Sequence, residues 1–347
     1  MDRALASGAR GRRFESCRVY THQYAILSRM TSGQPSAFID VRRVHVNYPV
    51  FRPWWQVLSG TPEAHSALRD VSFTMPLGAT ATVFGREGSG KTTLLRLLTG
   101  IIKPARGKLL VNGASPLSIK GIAAGYVSPE ENENIRETGH QVLSSFASAH
   151  AIDDASAKIT QLSDTLSLSQ FIYRTANSLS SAQRLRLNLA RAALSHSPLI
   201  LLDDVADGLG VDVVKNALET CFAGRTVLAS TRFPATAEAL NLPLLLLHNG
   251  QVAHMGTLED IAQTLAAPRL IDVWIEGLRY DVLRNIRRQS GVIEARLMPT
   301  TQFSGQKLRI HLQSGRYLPS LYDSLSQAPL IRVEEIPPSL HEIITRL

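Results

Sequence analysis

Gly85-Arg86-Glu87-Gly88-Ser89-Gly90-Lys91-Thr92 decides the fold of this 347-residue chain. The octapeptide fits G-x-x-x-x-G-K-[ST], and its flanks give the match its meaning. Ahead of it, Ala81-Thr82-Val83-Phe84 predicts a strand. Behind it, Leu94, Leu95, Leu97, Leu98 and Ile101 predict an apolar helix that stops at Pro104. Glycines at a strand-to-helix turn let the backbone curl so that its N–H groups and the helix N-terminus face a phosphate. In that setting Lys91 is placed to neutralise β- and γ-phosphates, and the Thr92 hydroxyl to coordinate Mg2+. Gly85 through Thr93 is therefore the candidate nucleotide site.

Such a loop needs a second carboxylate on a buried strand. Leu199-Ile200-Leu201-Leu202 is apolar throughout, as a strand buried on both faces should be, and Asp203-Asp204 follows it. A carboxylate at the C-terminal end of such a strand lies where an open α/β sheet binds its ligand. Asp203 is the candidate metal ligand. Asp204 sits where a general base could hold a water, or where a helix cap could begin.

Moving outward, the chain is 44% hydrophobic and 19% charged, which excludes disorder as its main theme. No stretch approaches the roughly 18 apolar residues of a membrane helix. Two cysteines, Cys17 and Cys221, give neither a ligand cluster nor a disulfide framework. The net charge of +8 is concentrated: residues 1–34 carry six arginines against Asp2 and Glu15, half the excess in a tenth of the chain. The remainder has no basic stripe, which argues against nucleic acid as a partner. The leader, 1–34, has no hydrophobic periodicity. Its Arg-rich, acid-poor composition suits a transit peptide or a disordered basic tail. A third reading is genetic: Arg12-Arg13-Phe14-Glu15-Ser16-Cys17 can be encoded as CGC AGG TTC GAA TCC TGC, whose complementary GCAGG and CCTGC flank TTCGAAT. That pattern resembles the T-arm of a transfer-RNA gene, and would make Met30 the first residue.

Between phosphate loop and aspartates lies Leu179-Ser180-Ser181-Ala182-Gln183, opening a helix with Leu185, Leu189 and Ala192-Ala193 on one face. In this order with the other two motifs it resembles the LSGGQ signature of ABC transporter ATPases. Leu179, Ser180 and Gln183 match; Ser181 and Ala182 replace glycines. The resemblance runs over residues 36–266. It implies a P-loop α/β domain with a mostly parallel core sheet, an antiparallel β subdomain and a helical signature subdomain. It implies ATP and Mg2+ as ligands, and a second nucleotide domain, in a homodimer or heterodimer, whose site receives Ser180 to Gln183. It also implies a transmembrane permease subunit, reached from the cytoplasmic face of the membrane. Tyr48 falls where the family stacks an aromatic on adenine, although a turn or core role suits it equally. Phe38–Val41 and Val44–Val46 read as a strand or strand pair broken by Tyr48-Pro49, and residues 49–63 as an aromatic insertion. Residues 244–252 resemble the family's closing hairpin.

The departures concern hydrolysis. Asp204 stands for the family's catalytic glutamate. No glutamine occurs in Gly125–Glu130, leaving Glu130 in its neighbourhood. Thr231 stands where the switch histidine is expected, and Gly210 where an aspartate is. Binding parts intact and turnover parts altered imply clear Mg-ATP binding with slow hydrolysis. Two rivals follow: an ATP-binding regulatory subunit that does not hydrolyse, and a soluble ATPase of the same family outside transport.

Beyond Pro268, strands at 271–275, 292–297, 307–312 and 330–335 alternate with helices at 280–288, 318–325 and 340–347. The order βαββαβ predicts a small ferredoxin-like α+β domain over 268–347. The ending, Ile336-Pro337-Pro338-Ser339-Leu340-His341-Glu342-Ile343, resembles ATPases of drug and lipid exporters. Tyr48-Pro49 with its insertion, Ser180-Ser181 and Asp204-Val205 resemble those of polysaccharide and teichoic-acid exporters.

Overall fold

The computed structural model describes residues 37–49, 64–117, 124–130, 136–299, 305–326, 328–336 and 338–345. The basic leader and the aromatic segment after Pro49 lie outside the described residues. The chain divides into two compact units, with the division between Met255 and Gly256 in sequence.

The first unit opens with β1 (Ile39–Pro49), β2 (Ala64–Met75), β3 (Thr80–Phe84) and β4 (Arg106–Val111). Three of these form an antiparallel sheet in the order β2-β1-β4. Of the two readings, strand or strand pair, the structure has one strand: Arg43, at φ 47°, makes a bulge where the register slips between Val41 and Val44. Tyr48-Pro49 does not break it, since Tyr48 pairs with His65 and Pro49 with Ala64. The paired register with β4 ends at His45, and a proline at the end of a strand open on one side costs little.

β3 joins β5 (Gly125–Val127), β6 (Leu199–Leu202), β7 (Thr226–Thr231), β8 (Leu244–His248) and β9 (Gln251–Gly256) in a second sheet, ordered β5-β6-β7-β3-β8-β9. The pairs from β5 through β8 are parallel. Alternate residues of β6 enter two different cores. Ile200 and Leu202 pack in a cluster with the helices described next, and Leu199 and Leu201 pack against the antiparallel sheet and the helix after the phosphate loop. That is the physical reason the strand is apolar at every position. Asn249 and Gly250, at φ 48° and 76°, make the two-residue turn between β8 and β9, a primed geometry that matches strand twist. The Gly250 carbonyl accepts from Arg69 N–H at 2.8 Å and its N–H donates to Ser89 O at 3.2 Å, so the turn is tied to β2 and to the phosphate loop.

The helix after the loop, α1 (Lys91–Leu98), is shorter than its leucine pattern predicts. Gly100 adopts φ 79° and its N–H returns to Leu97 O, a left-handed ending, which leaves Ile101 68% exposed outside the helix. Pro104 therefore plays no part in the stop. The helical layer contains α2 (Gly139–Ala149), α3 (Ala155–Thr165) and α4 (Ser181–Leu194), followed by α5 (Val205–Leu209), α6 (Val211–Thr220) and α7 (Pro234–Leu240).

The second unit begins with α8 (Leu258–Thr264), then β10 (Arg269–Ile275), α9 (Tyr280–Arg288), β11 (Val292–Met298), β12 (Gln306–Leu312), α10 (Leu318–Leu325), β13 (Leu330–Ile336) and α11 (Leu340–Ile344). Its sheet is antiparallel throughout, in the order β11-β12-β10-β13. With β10 and β12 central and the βαββαβ order, this is the ferredoxin-like arrangement expected from the strand spacing. Ile271, Val273 and Ile275 of β10 share one core with Leu283 and Ile286 of α9 and Leu321 and Leu325 of α10.

Candidate functional site

The phosphate loop leaves β3 at Gly85 and enters α1 at Lys91. Its glycines answer different demands. At Gly85 a Cβ would come within 2.5 Å of Leu247 O, so close approach requires the missing side chain. Gly88, at φ 75°, has open space around it and is needed for its backbone angle alone. Gly90, at φ 100°, meets both demands, since a Cβ there would lie 2.7 Å from Ala67 O. Lys91 is only 6% exposed, and its Nζ donates to Gly85 O at 2.8 Å and Arg86 O at 3.2 Å. The ammonium thus closes the loop on itself, where a phosphate would compete for it. Burial lowers the Lys91 pKa, while Asp204, Asp203 and Asp207 oppose that shift. Ser89 Oγ, also in the loop, is buried and has no partner among the described residues.

Asp203 is 3% exposed and accepts from three hydroxyls. Thr92 Oγ1 reaches Oδ1 at 3.2 Å, Ser230 Oγ reaches Oδ1 at 2.7 Å, and Tyr126 Oη donates to Oδ2 at 2.9 Å. Thr92 and Asp203, 111 residues apart, are thereby brought together as the motifs predicted. Asp204 begins α5 at φ 50°, with no side-chain cap bond. It thus takes the cap position that was left open for it, but its side chain makes no capping bond. Its N–H donates to Ser230 Oγ at 2.9 Å, and the same hydroxyl lies 3.0 Å from Asp204 Oδ1. Burial raises the Asp204 pKa, against the Ser230 hydrogen bond and with help from the Asp203 charge. Burial and the neighbouring Asp203 charge likewise push the Tyr126 phenol up to about 12, which keeps it a donor.

Tyr126, Ser230 and Asp207 were not singled out in the sequence. Tyr126, the middle residue of β5, and Ser230, the penultimate residue of β7, lie on either side of β6, so the parallel register brings them to Asp203. Asp207 engages one of the departures, Thr231. Thr231 Oγ1 donates to its Oδ1 at 2.6 Å, and Arg232 N–H to its Oδ2 at 3.4 Å. Glu130 is paired instead with Arg96, 2.7 Å away on an exposed face of α1. Across the loop, Arg232 lies 3.5 Å from Glu87.

Tyr48 is 37% exposed, and its Oη lies 3.4 Å from Thr93 Oγ1, beside the start of α1. Ser180 caps α4: its Oγ accepts from Gln183 N–H at 3.2 Å, and the Gln183 amide oxygen accepts from Ser180 N–H at 2.9 Å. Ser181 and Ala182 stand exposed on the first turn. Among the described residues no three of His, Cys, Asp and Glu converge. A cation at this site would be held by one hydroxyl and one carboxylate, Thr92 and Asp203. That donor set suits Mg2+, which usually takes one or two carboxylates and completes its shell with phosphate oxygens and water.

Residues 68–207 match the family model described as ABC transporter. The β-(1→2)glucan export ATP-binding/permease protein NdvA of Agrobacterium fabrum is 29% identical over 223 residues, 59% of this chain and 37% of that protein. The ABC transporter ATP-binding protein NatA of Bacillus subtilis is 25% identical over 208 residues, 57% of this chain and 85% of that protein. The chain thus spans little more than a third of the length of the glucan-export relative. Among solved structures, an ATP-binding subunit of an ABC transporter superposes with a TM-score of 0.55 at 22% identity, over 65% of this chain and 92% of that one. A dimeric ATP-binding cassette in a post-hydrolysis state with ADP and Pi gives 0.52 at 19% identity, over 63% and 98%.

Proposed function

We propose that this chain, whose residues 68–207 carry the ABC transporter domain, is the ATP-binding subunit of a membrane exporter, with a separate permease and a second nucleotide domain as partners. The observation that carries the reading is the junction of loop and strand. Lys91, Thr92, Asp203 and Asp204 come from the phosphate loop, the helix it opens and the end of β6, and they converge at one place. Lys91 would leave the loop carbonyls for the β- and γ-phosphates. Thr92 and Asp203 would hold Mg2+, Asp204 would take a proton from the attacking water, and Tyr48 would lie against the adenine. Ser180 to Gln183 would serve the partner's site. Mg2+ would supply charge neutralisation at the phosphates when bound. The relatives named as exporters support export, and a peripheral position on the cytoplasmic face follows from that reading.

Turnover by this chain alone is slow in this proposal, because Asp204 is short and tied to Ser230, and Thr231 and Glu130 are engaged elsewhere. The same engagements support a second reading, an ATP-binding regulatory subunit that does not hydrolyse. Mg-ATP binding and hydrolysis by the full chain, beside Lys91→Ala and Asp204→Asn, test both. The expected result is ATP binding weakened at least tenfold by Lys91→Ala, with a low turnover abolished in both variants. Binding indifferent to Lys91→Ala would overturn the nucleotide site. Turnover indistinguishable from that of Asp204→Asn would leave the regulatory reading.

A further inference from the structure

The second unit contains a cleft of about 580 Å3 that takes no part in the nucleotide site. One wall is a face of α8, carrying Glu259 and Gln263; the other is the segment Ser314 to Arg316 between β12 and α10. At its base Arg269, 5% exposed, donates to Glu259 at 2.6 Å and to Glu335. Gly315 packs closely on the buried guanidinium, since a Cβ there would lie 3.1 Å from Arg269 Nε.

Three features of the lining describe what it would hold. The charged groups, Glu259, Glu335, Arg269 and Arg316, sum to zero, so neither a cation nor an anion gains net attraction. Hydrogen-bonding capacity remains of both kinds. Both carboxylates receive Arg269 through Oε1, and among the described residues neither Oε2 accepts a bond. Arg316 is steadied above the Tyr317 ring, 4.9 Å from its centroid, and its other N–H groups are donors. Most telling is Ser314: the residue is 3% exposed, it lines the cleft, and among the described residues its Oγ has no partner. A buried hydroxyl left unpaired is costly and calls for an occupant that both donates and accepts. Finally, Ala262 and Leu318 supply apolar surface among these polar groups.

We infer that this cleft binds a neutral, hydroxyl-rich small molecule of mono- or disaccharide size. Vicinal hydroxyls donate to the free carboxylate oxygens and accept from Arg316 and Gln263, the Ser314 hydroxyl is satisfied, and a C–H face covers Ala262 and Leu318. The inference stands apart from the nucleotide reading, since every residue it uses lies in the second unit.

Saturation-transfer NMR of the full chain with maltose, sucrose and sorbitol tests it, alongside thermal melts. Two variants are expected to fold. Ser314→Ala removes a buried hydroxyl that has no partner, so Tm holds or rises while affinity for the responding probe falls about fivefold. Gln263→Phe, on the exposed side of α8, fills the mouth and abolishes transfer, with ATP binding unchanged. No transfer from any of the three probes, or transfer equal in the wild type and both variants, overturns the inference. A response to glutamate or spermidine that exceeds the response to all three neutral probes overturns the class of ligand.

Discussion

Around one phosphate loop, the groups that would grip a nucleotide and the groups that would cut it are held differently. On the gripping side, Lys91 rests on two carbonyls of its own loop, and Thr92 and Tyr126 brace Asp203 from two directions. These contacts aim side chains into the place a phosphate and a cation would occupy. On the cutting side, Glu130 is drawn out to Arg96, Thr231 into Asp207, and Asp204 back toward Ser230. A polar residue at a familiar position is therefore no measure of activity; what matters is whether its hydrogen-bonding capacity is already taken.

The sharpest way to break this contrast is to spoil the gripping side without touching a polar group. Gly90→Ala combines a left-handed backbone with a Cβ 2.7 Å from Ala67 O and 2.7 Å from a Leu68 methyl. It should cost about 3 kcal/mol by urea denaturation and abolish ATP binding. Gly88→Ala, equally left-handed but in open space, should cost about 1 kcal/mol. Equal effects would show that packing around the loop is irrelevant. Next in size is Tyr126→Phe, which deprives Asp203 Oδ2 of its donor. A loss of about 1–2 kcal/mol is expected, with a several-fold higher Mg2+ requirement for ATP binding.

Asp204→Asn probes the cutting side with a sign. A carboxyl whose pKa is raised by burial favours the folded state when protonated, and that contribution is lost as pH rises through the folded pKa. The wild type should therefore melt below Asp204→Asn by about 2 °C at pH 7, with the gap closing as the pH falls to the ordinary carboxylate range. A gap that widens toward acid would mean that Asp204 is stabilised as the anion. The smallest effect belongs to Glu130→Gln. Its exposed pair with Arg96 should matter by less than about 0.5 kcal/mol, and turnover should not fall.

How much of this was legible in the residues depended on whether a signal was local. The strand-to-helix turn at Gly85–Lys91, the all-apolar β6 and the strands and helices of the tail each carry a local period or spacing, and the structure forms these elements. Ala64-His65-Ser66, where β2 begins, has no alternation of its own; it is a strand because β1 lies beside it. The end of α1 was misread because its leucine pattern continues to Ile101 while the backbone at Gly100 has already turned left-handed. The braces of Asp203 were invisible for a related reason. Tyr126 and Ser230 lie 77 and 27 residues from it in sequence, and only the register of parallel strands sets them beside it.

The β8–β9 turn sets a timetable. Gly250 bonds to Ser89 in the phosphate loop and to Arg69 on β2, partners some 160 and 180 residues earlier in the chain. At roughly 5–20 residues per second of synthesis, the loop spends on the order of ten to thirty seconds outside the ribosome before its last brace arrives. Strand β3, which feeds the loop, waits almost as long for β7 and β8, its two neighbours. The nascent protein thus carries its most recognisable motif long before it can use it. The passage from inert glycine turn to nucleotide grip becomes an event of late translation, completed only as the first unit itself is completed.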